Sequence, residues 1–146
     1  MSQLEKLILS LYVHSRTSFI DGNQLDNDII SKIPYLHSFI FDIVTKDDII
    51  DEEYLPTSDN VRRALIRKAY NVDCYIDYLS TESGRCHIYS LPFTMERIQE
   101  ITKKFLPDGV FINVRKLCVN DSVRSIEYDF FVLISQAFPL LEDLTV

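Results

Sequence analysis

With 146 residues, 47% of them hydrophobic and 25% charged, the chain has the size of one domain and is too apolar for disorder. A formal net charge of −7 argues against the basic face that nucleic acid or an anionic membrane surface requires, so neither is expected as a partner. Cys74, Cys86 and Cys118 are too widely spaced for a zinc site and read as free thiols of an intracellular protein, in the cytoplasm or the nucleus.

Leu4–Val13 has apolar residues at alternate positions and predicts a strand. Its apolar core is too short to span a bilayer, and no small-residue cleavage site follows it. Ser18–Asn23 is a connection, and Leu25, Ile29 and Ile33 mark one face of a short helix stopped by Pro34. Asp21–Asp28 is rich in calcium-type ligands, but Leu25 takes a ligand position and the glycine is misplaced, so these residues read as a helix cap. Leu36–Val44 predicts a second strand, and the acidic stretch Lys46–Glu53 a surface loop. Ser58 is the expected N-cap of a helix carrying Val61, Leu65 and Ala69.

Val72–Tyr78 and Cys86–Leu91 predict a hairpin whose turn, Ser80–Arg85, draws positive φ from Gly84. Thr94 is placed to cap a helix with Ile98, Ile101 and Phe105 inward, ended by Pro107-Asp108-Gly109. Val114–Val119 follows as a strand, then Glu127–Phe138 as a helix apolar nearly all round, then Leu141–Val146 as a last strand.

One phrase recurs through these elements. Leu4-x-x-Leu7-x-Leu9, Leu36-x-x-Phe39-x-Phe41, Val114-x-x-Leu117-x-Val119 and Leu141-x-x-Leu144-x-Val146 share it, with a looser copy at Cys86-x-x-Tyr89-x-Leu91. Such recurrence is the leucine-rich-repeat signature. The expected fold is therefore α/β: an irregular leucine-rich-repeat-like array of strand–helix units, with a mainly parallel sheet and an inserted hairpin. It is expected to form one domain over residues 1–146, a fragment of a longer array. Position nine holds Tyr12, Val44 or Ser122 rather than the usual asparagine, so no asparagine ladder ties the turns together.

Strand side chains alternate between faces. The third, fifth and seventh positions of the phrase are thus expected to point outward and meet a partner. They are Lys6, Ile8 and Ser10; Ser38, Ile40 and Asp42; Lys116, Cys118 and Asn120; and Asp143 and Thr145. An apolar ridge flanked by mixed charge suits a protein partner.

Sites of chemistry are not evident. The glycines Gly22, Gly84 and Gly109 form no phosphate loop, and His14, His37 and His87 stand far apart with no His-Glu-x-x-His pair. No catalytic residue, metal ligand or cofactor is expected, and the chain reads as non-catalytic.

Several longer phrases carry a resemblance. They are Met1–Leu7, Arg16–Leu25, Ile33–Phe41, Cys86–Phe93 and Glu127–Leu141, the last reading Glu-Tyr-Asp-Phe-Phe-Val-Leu-Ile-Ser-Gln-Ala-Phe-Pro-Leu-Leu. They resemble the C-terminal region of a lineage-expanded invertebrate family of F-box proteins. The resemblance implies a leucine-rich-repeat-like arm that holds the substrate of a cullin-type ubiquitin ligase. The F-box module that docks on the ligase adaptor is not in this sequence: no Leu-Pro pair opens the expected Leu-Pro-x-Glu helix start. The adaptor is an expected partner only of a longer chain that carries that module. The main expectation is a protein-binding scaffold for an unidentified protein target. The alternative is a truncated structural fragment without independent function.

Overall fold

The computed structural model describes residues 3–16, 18–48, 56–78, 83–105, 109–121 and 125–146. The chain divides into two compact units, Met1–Pro92 and Phe93–Val146.

The first unit is built on strands β1 (Lys6–Arg16), β2 (Ser38–Asp48), β3 (Val72–Tyr78) and β4 (Ser83–Ser90), with helices α1 (Gly22–Asp28) and α2 (Ser58–Arg67). The strand order is β1-β2-β4-β3. β1 and β2 run parallel, joined through α1 and a 3-10 turn at Ile30–Lys32. β2–β4 and β4–β3 are antiparallel. This corrects the expected fold: the sheet is mixed and mostly antiparallel, and the chain is not a mainly parallel repeat array. The reason lies in the hairpin. Strands joined by a short connection must run antiparallel, whereas parallel neighbours need a long crossover. The looser phrase copy at Cys86–Leu91 therefore meets β2 head to tail, with Asp42 opposite Tyr89.

Alternation sets which residues enter the core. Phe39, Phe41 and Ile43 of β2, and Cys86 and Ile88 of β4, pack in one cluster with Leu25 of α1 and Val61 and Leu65 of α2. Leu7, Leu9 and Val13 of β1 pack against the same cluster. At Gly22 the two helices meet so closely that a β-carbon would lie 2.7 Å from the Val61 carbonyl oxygen.

Both helix starts are capped from the sequence. Asp21 Oδ1 accepts from the Gln24 amide at 2.9 Å, so Asp21 caps α1, while Asp26 and Asp28 lie within the helix. Thr57, one residue before the expected Ser58, caps α2: the Asn60 amide donates to its hydroxyl at 3.2 Å, and its own amide donates to Asn60 Oδ1 at 2.9 Å. The Tyr78 hydroxyl donates to the Pro56 carbonyl at 2.7 Å and ties the start of α2 to β3. Ala69 does not extend the apolar stripe. It ends the helix at φ 65, and Lys68 and Ala69 amides donate to Leu65 and Ile66 carbonyls. Lys46–Asp48 belongs to β2 instead of a loop, and the rest of the expected acidic loop lies outside the described residues. Gly84 lies within β4 opposite Tyr78, while most of the expected turn is likewise outside the described residues.

Lys68 links the two helices through Asp26, with Nζ 2.6 Å from Oδ1. This bond, first, holds the Asp26 carboxyl below its ordinary value against the opposing effect of desolvation, with further help from the Ser31 hydroxyl and the Lys68 charge. A depressed carboxyl stabilises the fold above its unfolded value, near pH ~3.9, and that contribution fades as pH falls through the folded value. Asp26→Asn is therefore expected to lower the urea midpoint more at pH 7 than at pH 3. An equal loss at both pH values refutes the assignment.

The second unit contains β5 (Lys116–Cys118), α3 (Tyr128–Ala137) and β6 (Asp143–Thr145). Its core centres on Phe93, Phe105, Phe111 and Phe138, all at most 5% exposed. Ring centroids lie 5.5 Å apart for Phe93–Phe111, 5.6 Å for Phe105–Phe111 and 5.2 Å for Phe111–Phe138. The expected helix from Thr94 does not form. Ile98, Ile101 and Phe105 are buried as expected, but the segment is irregular, bridged to β5 at Arg97↔Lys116 and Ile101↔Val119. Tertiary pairing here overrides the helix propensity of Met95, Glu96, Arg97, Gln99 and Glu100. α3 buries Phe130, Ile134 and Ala137 along one stripe, while Tyr128 is 80% exposed, so it is not enclosed all round.

The recurring phrase still has a local meaning. Its first two copies pair in register, Lys6↔Ser38 through Ser10↔Asp42, and so do the last two, Lys116↔Asp143 through Cys118↔Thr145. Each unit thus holds one parallel pair of copies. Among the described residues no helix is long and apolar enough to cross a membrane.

Candidate functional site

In the second unit, residues 96–101 and β6 flank β5 on its two sides. The Arg115 amide donates to the Glu96 carbonyl at 2.8 Å, and the Ile101 amide to the Cys118 carbonyl at 3.0 Å. On the other flank of β5, the Asp143 amide donates to the Arg115 carbonyl at 3.1 Å, and the Val119 amide to the Thr145 carbonyl at 2.8 Å. Leu117 and Val119 are buried, so the alternate residues Lys116 and Cys118 face the other way.

On that side a groove of about 500 Å³ opens, lined by residues 97–100, 116–118 and 143–145. Four of the sequence-predicted partner residues, Lys116, Cys118, Asp143 and Thr145, line it. The paired register sets Arg97, Lys116 and Asp143 in one row across the three segments. The Cys118 thiol donates to Glu100 Oε2 at 3.6 Å on the same side. Asn120 is exposed just past β5 and does not line the groove. The reading of residues 97–100 as helix hid their part in it. Ile98 and Ile101 are three apart, and no alternation marks the segment as bridged to a strand.

The other predicted residues belong to the first unit. Lys6, Ile8 and Ser10 are exposed on β1, with Ile8 54% accessible, beside half-buried Ser38 and Ile40 of β2. Asp42 is the exception. It is 0% exposed, so it is not offered to a partner from this surface.

Asp42 instead anchors a chain of polar groups that the sequence reading missed. It comes from the face of the sheet opposite the apolar cluster, where register brings Asp42, His87, Tyr75, Tyr89 and Asp73 together from three strands. His87, also 0% exposed, places Nε2 2.5 Å from Asp42 Oδ1 and Nδ1 3.0 Å from the Tyr75 hydroxyl. In neutral imidazole, Nε2–H donates to the carboxylate and Nδ1 accepts from the phenol. Tyr89 packs edge-on to His87 at 5.2 Å, and its hydroxyl donates to Asp73 Oδ2 at 3.2 Å. Burial, reinforced by the Asp73 charge, pushes the Tyr89 hydroxyl far above its ordinary range, so it remains a donor.

A carboxylate–imidazole–phenol chain has the parts of a proton relay. Here the carboxylate and imidazole have no exposed surface for a reactant to approach. Their geometry serves to fix β2, β4 and β3 in register. Among the described residues no group of three His, Cys, Asp or Glu side chains is arranged to hold a metal ion. No protein-family model, curated protein or solved structure matches the chain.

Proposed function

We propose that this chain is a non-catalytic protein-binding module that holds a segment of its target in the groove of residues 93–146. One observation carries the reading: the outward positions Lys116, Cys118, Asp143 and Thr145 share a groove of about 500 Å³ with Arg97 and Glu100. A groove of mixed charge beside paired strands suits main chain and alternate side chains of an extended peptide. The resemblance to F-box proteins supplies a setting for such binding, the substrate arm of a ubiquitin ligase subunit. What supports that setting is the likeness of the sequence phrases.

The test is a selection of displayed random peptides on the whole chain. Selected peptides are then measured against Thr145→Tyr, which fills the groove from an exposed position without changing charge. Binding is expected to weaken by about tenfold or more, the equivalent of ~1.4 kcal/mol. Selected peptides that bind Thr145→Tyr and wild type equally would place recognition elsewhere, and the groove reading would fall.

A further inference from the structure

We infer that the groove selects an extended peptide bearing a carboxylate, which it seats between Arg97 and Lys116. This rests on the groove being the binding site, and it adds the chemistry of the occupant.

Arg97 and Lys116 are direct register partners across two parallel segments, and both are exposed. Like charges placed opposite one another repel. Among the described residues neither side chain has an ion-pair partner. The neighbouring cation is arranged differently: Arg115, one residue before Lys116, holds Glu142 at 2.8 Å. The position flanking the groove row is thus neutralised within the unit, while two cations in the row face the groove side by side.

Glu100 and Asp143 line the groove too, but among the described residues neither forms an ion pair with Arg97 or Lys116. Glu100 accepts the Cys118 thiol, and Asp143 is the register partner of Lys116 on its far side. A carboxylate entering between Arg97 and Lys116 accepts charge-assisted hydrogen bonds from both and removes their repulsion. The groove offers this cation pair beside two carboxylates of its own, Glu100 and Asp143, in a chain of net charge −7, which suits a single carboxylate and repels a polyanion. An extended peptide presents alternate side chains to one face, so one acidic residue reaches the pair while its neighbours flank it.

The probes are fluorescein-labelled octapeptides alternating Val and Ser, with a central Glu, Gln or Lys, titrated by anisotropy against the whole chain. The Glu peptide is expected to bind about tenfold tighter than the Gln peptide, and the Lys peptide weakest of the three. In the double variant Arg97→Glu with Lys116→Glu the order is expected to reverse, and in the milder Lys116→Gln the Glu preference shrinks. Equal binding of the Glu and Gln peptides, or an unchanged order in the double variant, overturns the inference. So does a single-stranded DNA oligomer that displaces the Glu peptide. Displayed peptides that lose binding to Thr145→Tyr but carry no acidic residue would leave the groove as the site and overturn only its carboxylate chemistry.

Discussion

Asp42→Ala is expected to cost about 3 kcal/mol of folding stability, a large share of what a domain of this size holds. The carboxylate has no exposed surface, and it accepts from His87 Nε2 at 2.5 Å. Its removal leaves a buried N–H facing a gap, with the full desolvation cost of that group uncompensated. Asp42→Asn keeps an acceptor of the same shape, and its expected loss is smaller. Replacing Asp42 and His87 together with Leu removes both orphaned groups and is expected to recover part of the loss. The chain has no tryptophan, so urea unfolding is followed by far-UV circular dichroism. An Asp42→Ala midpoint equal to that of wild type would mean that the chain of bonds through His87 contributes nothing to the fold.

Phe138→Ala is expected to cost a similar amount, about 3–5 kcal/mol, for a different reason. The ring is 1% exposed and stacks on Phe105 at 6.0 Å and Phe111 at 5.2 Å. Truncation removes its buried surface and opens a cavity that its two rigid aromatic neighbours cannot close. The expected fall in melting temperature is roughly 10 °C. Phe138→Leu retains most of the volume and is expected to lose only ~1.5 kcal/mol or less. If the Ala and Leu variants melt together, the packing of this aromatic cluster is not what stabilises the second unit.

The inward and outward facing of strand residues was legible from the alternation of apolar residues, whereas the overall architecture was not. The parity of β1 is visible in Lys6, Ile8 and Ser10 against Leu7 and Leu9, and the phrase copies anticipate which residues become register partners. The groove residues on β5 and β6 follow from the same parity. Strand direction was not legible, because a period of two looks the same read either way along a neighbour. Cys86–Leu91 shows this: its phrase fits the repeat, yet β4 runs against β2. The segment of Arg97 and Ile101 was misread because strong local helix formers lost to long-range backbone pairing. Asp42 was misplaced because alternation tells which face a residue takes, not whether that face meets water. The Asp42–His87–Tyr75 chain joins residues whose proximity appears only once three strands are set in register.

The close approach of α1 to α2 at Gly22 bears on descent. Any other residue there would drive a β-carbon to 2.7 Å from the Val61 carbonyl oxygen, a backbone atom with little room to move. Substitution at 22 therefore requires the helix pair to part, whereas Asn23, exposed beside it, is free to vary. The phrase Leu-x-x-Leu-x-Leu is too permissive to mark kinship, since apolar alternation arises wherever a strand is half-buried. A glycine held between Asp21 and the Val61 turn is a narrower inheritance, and it would identify chains that share this helix pair after their strands have diverged.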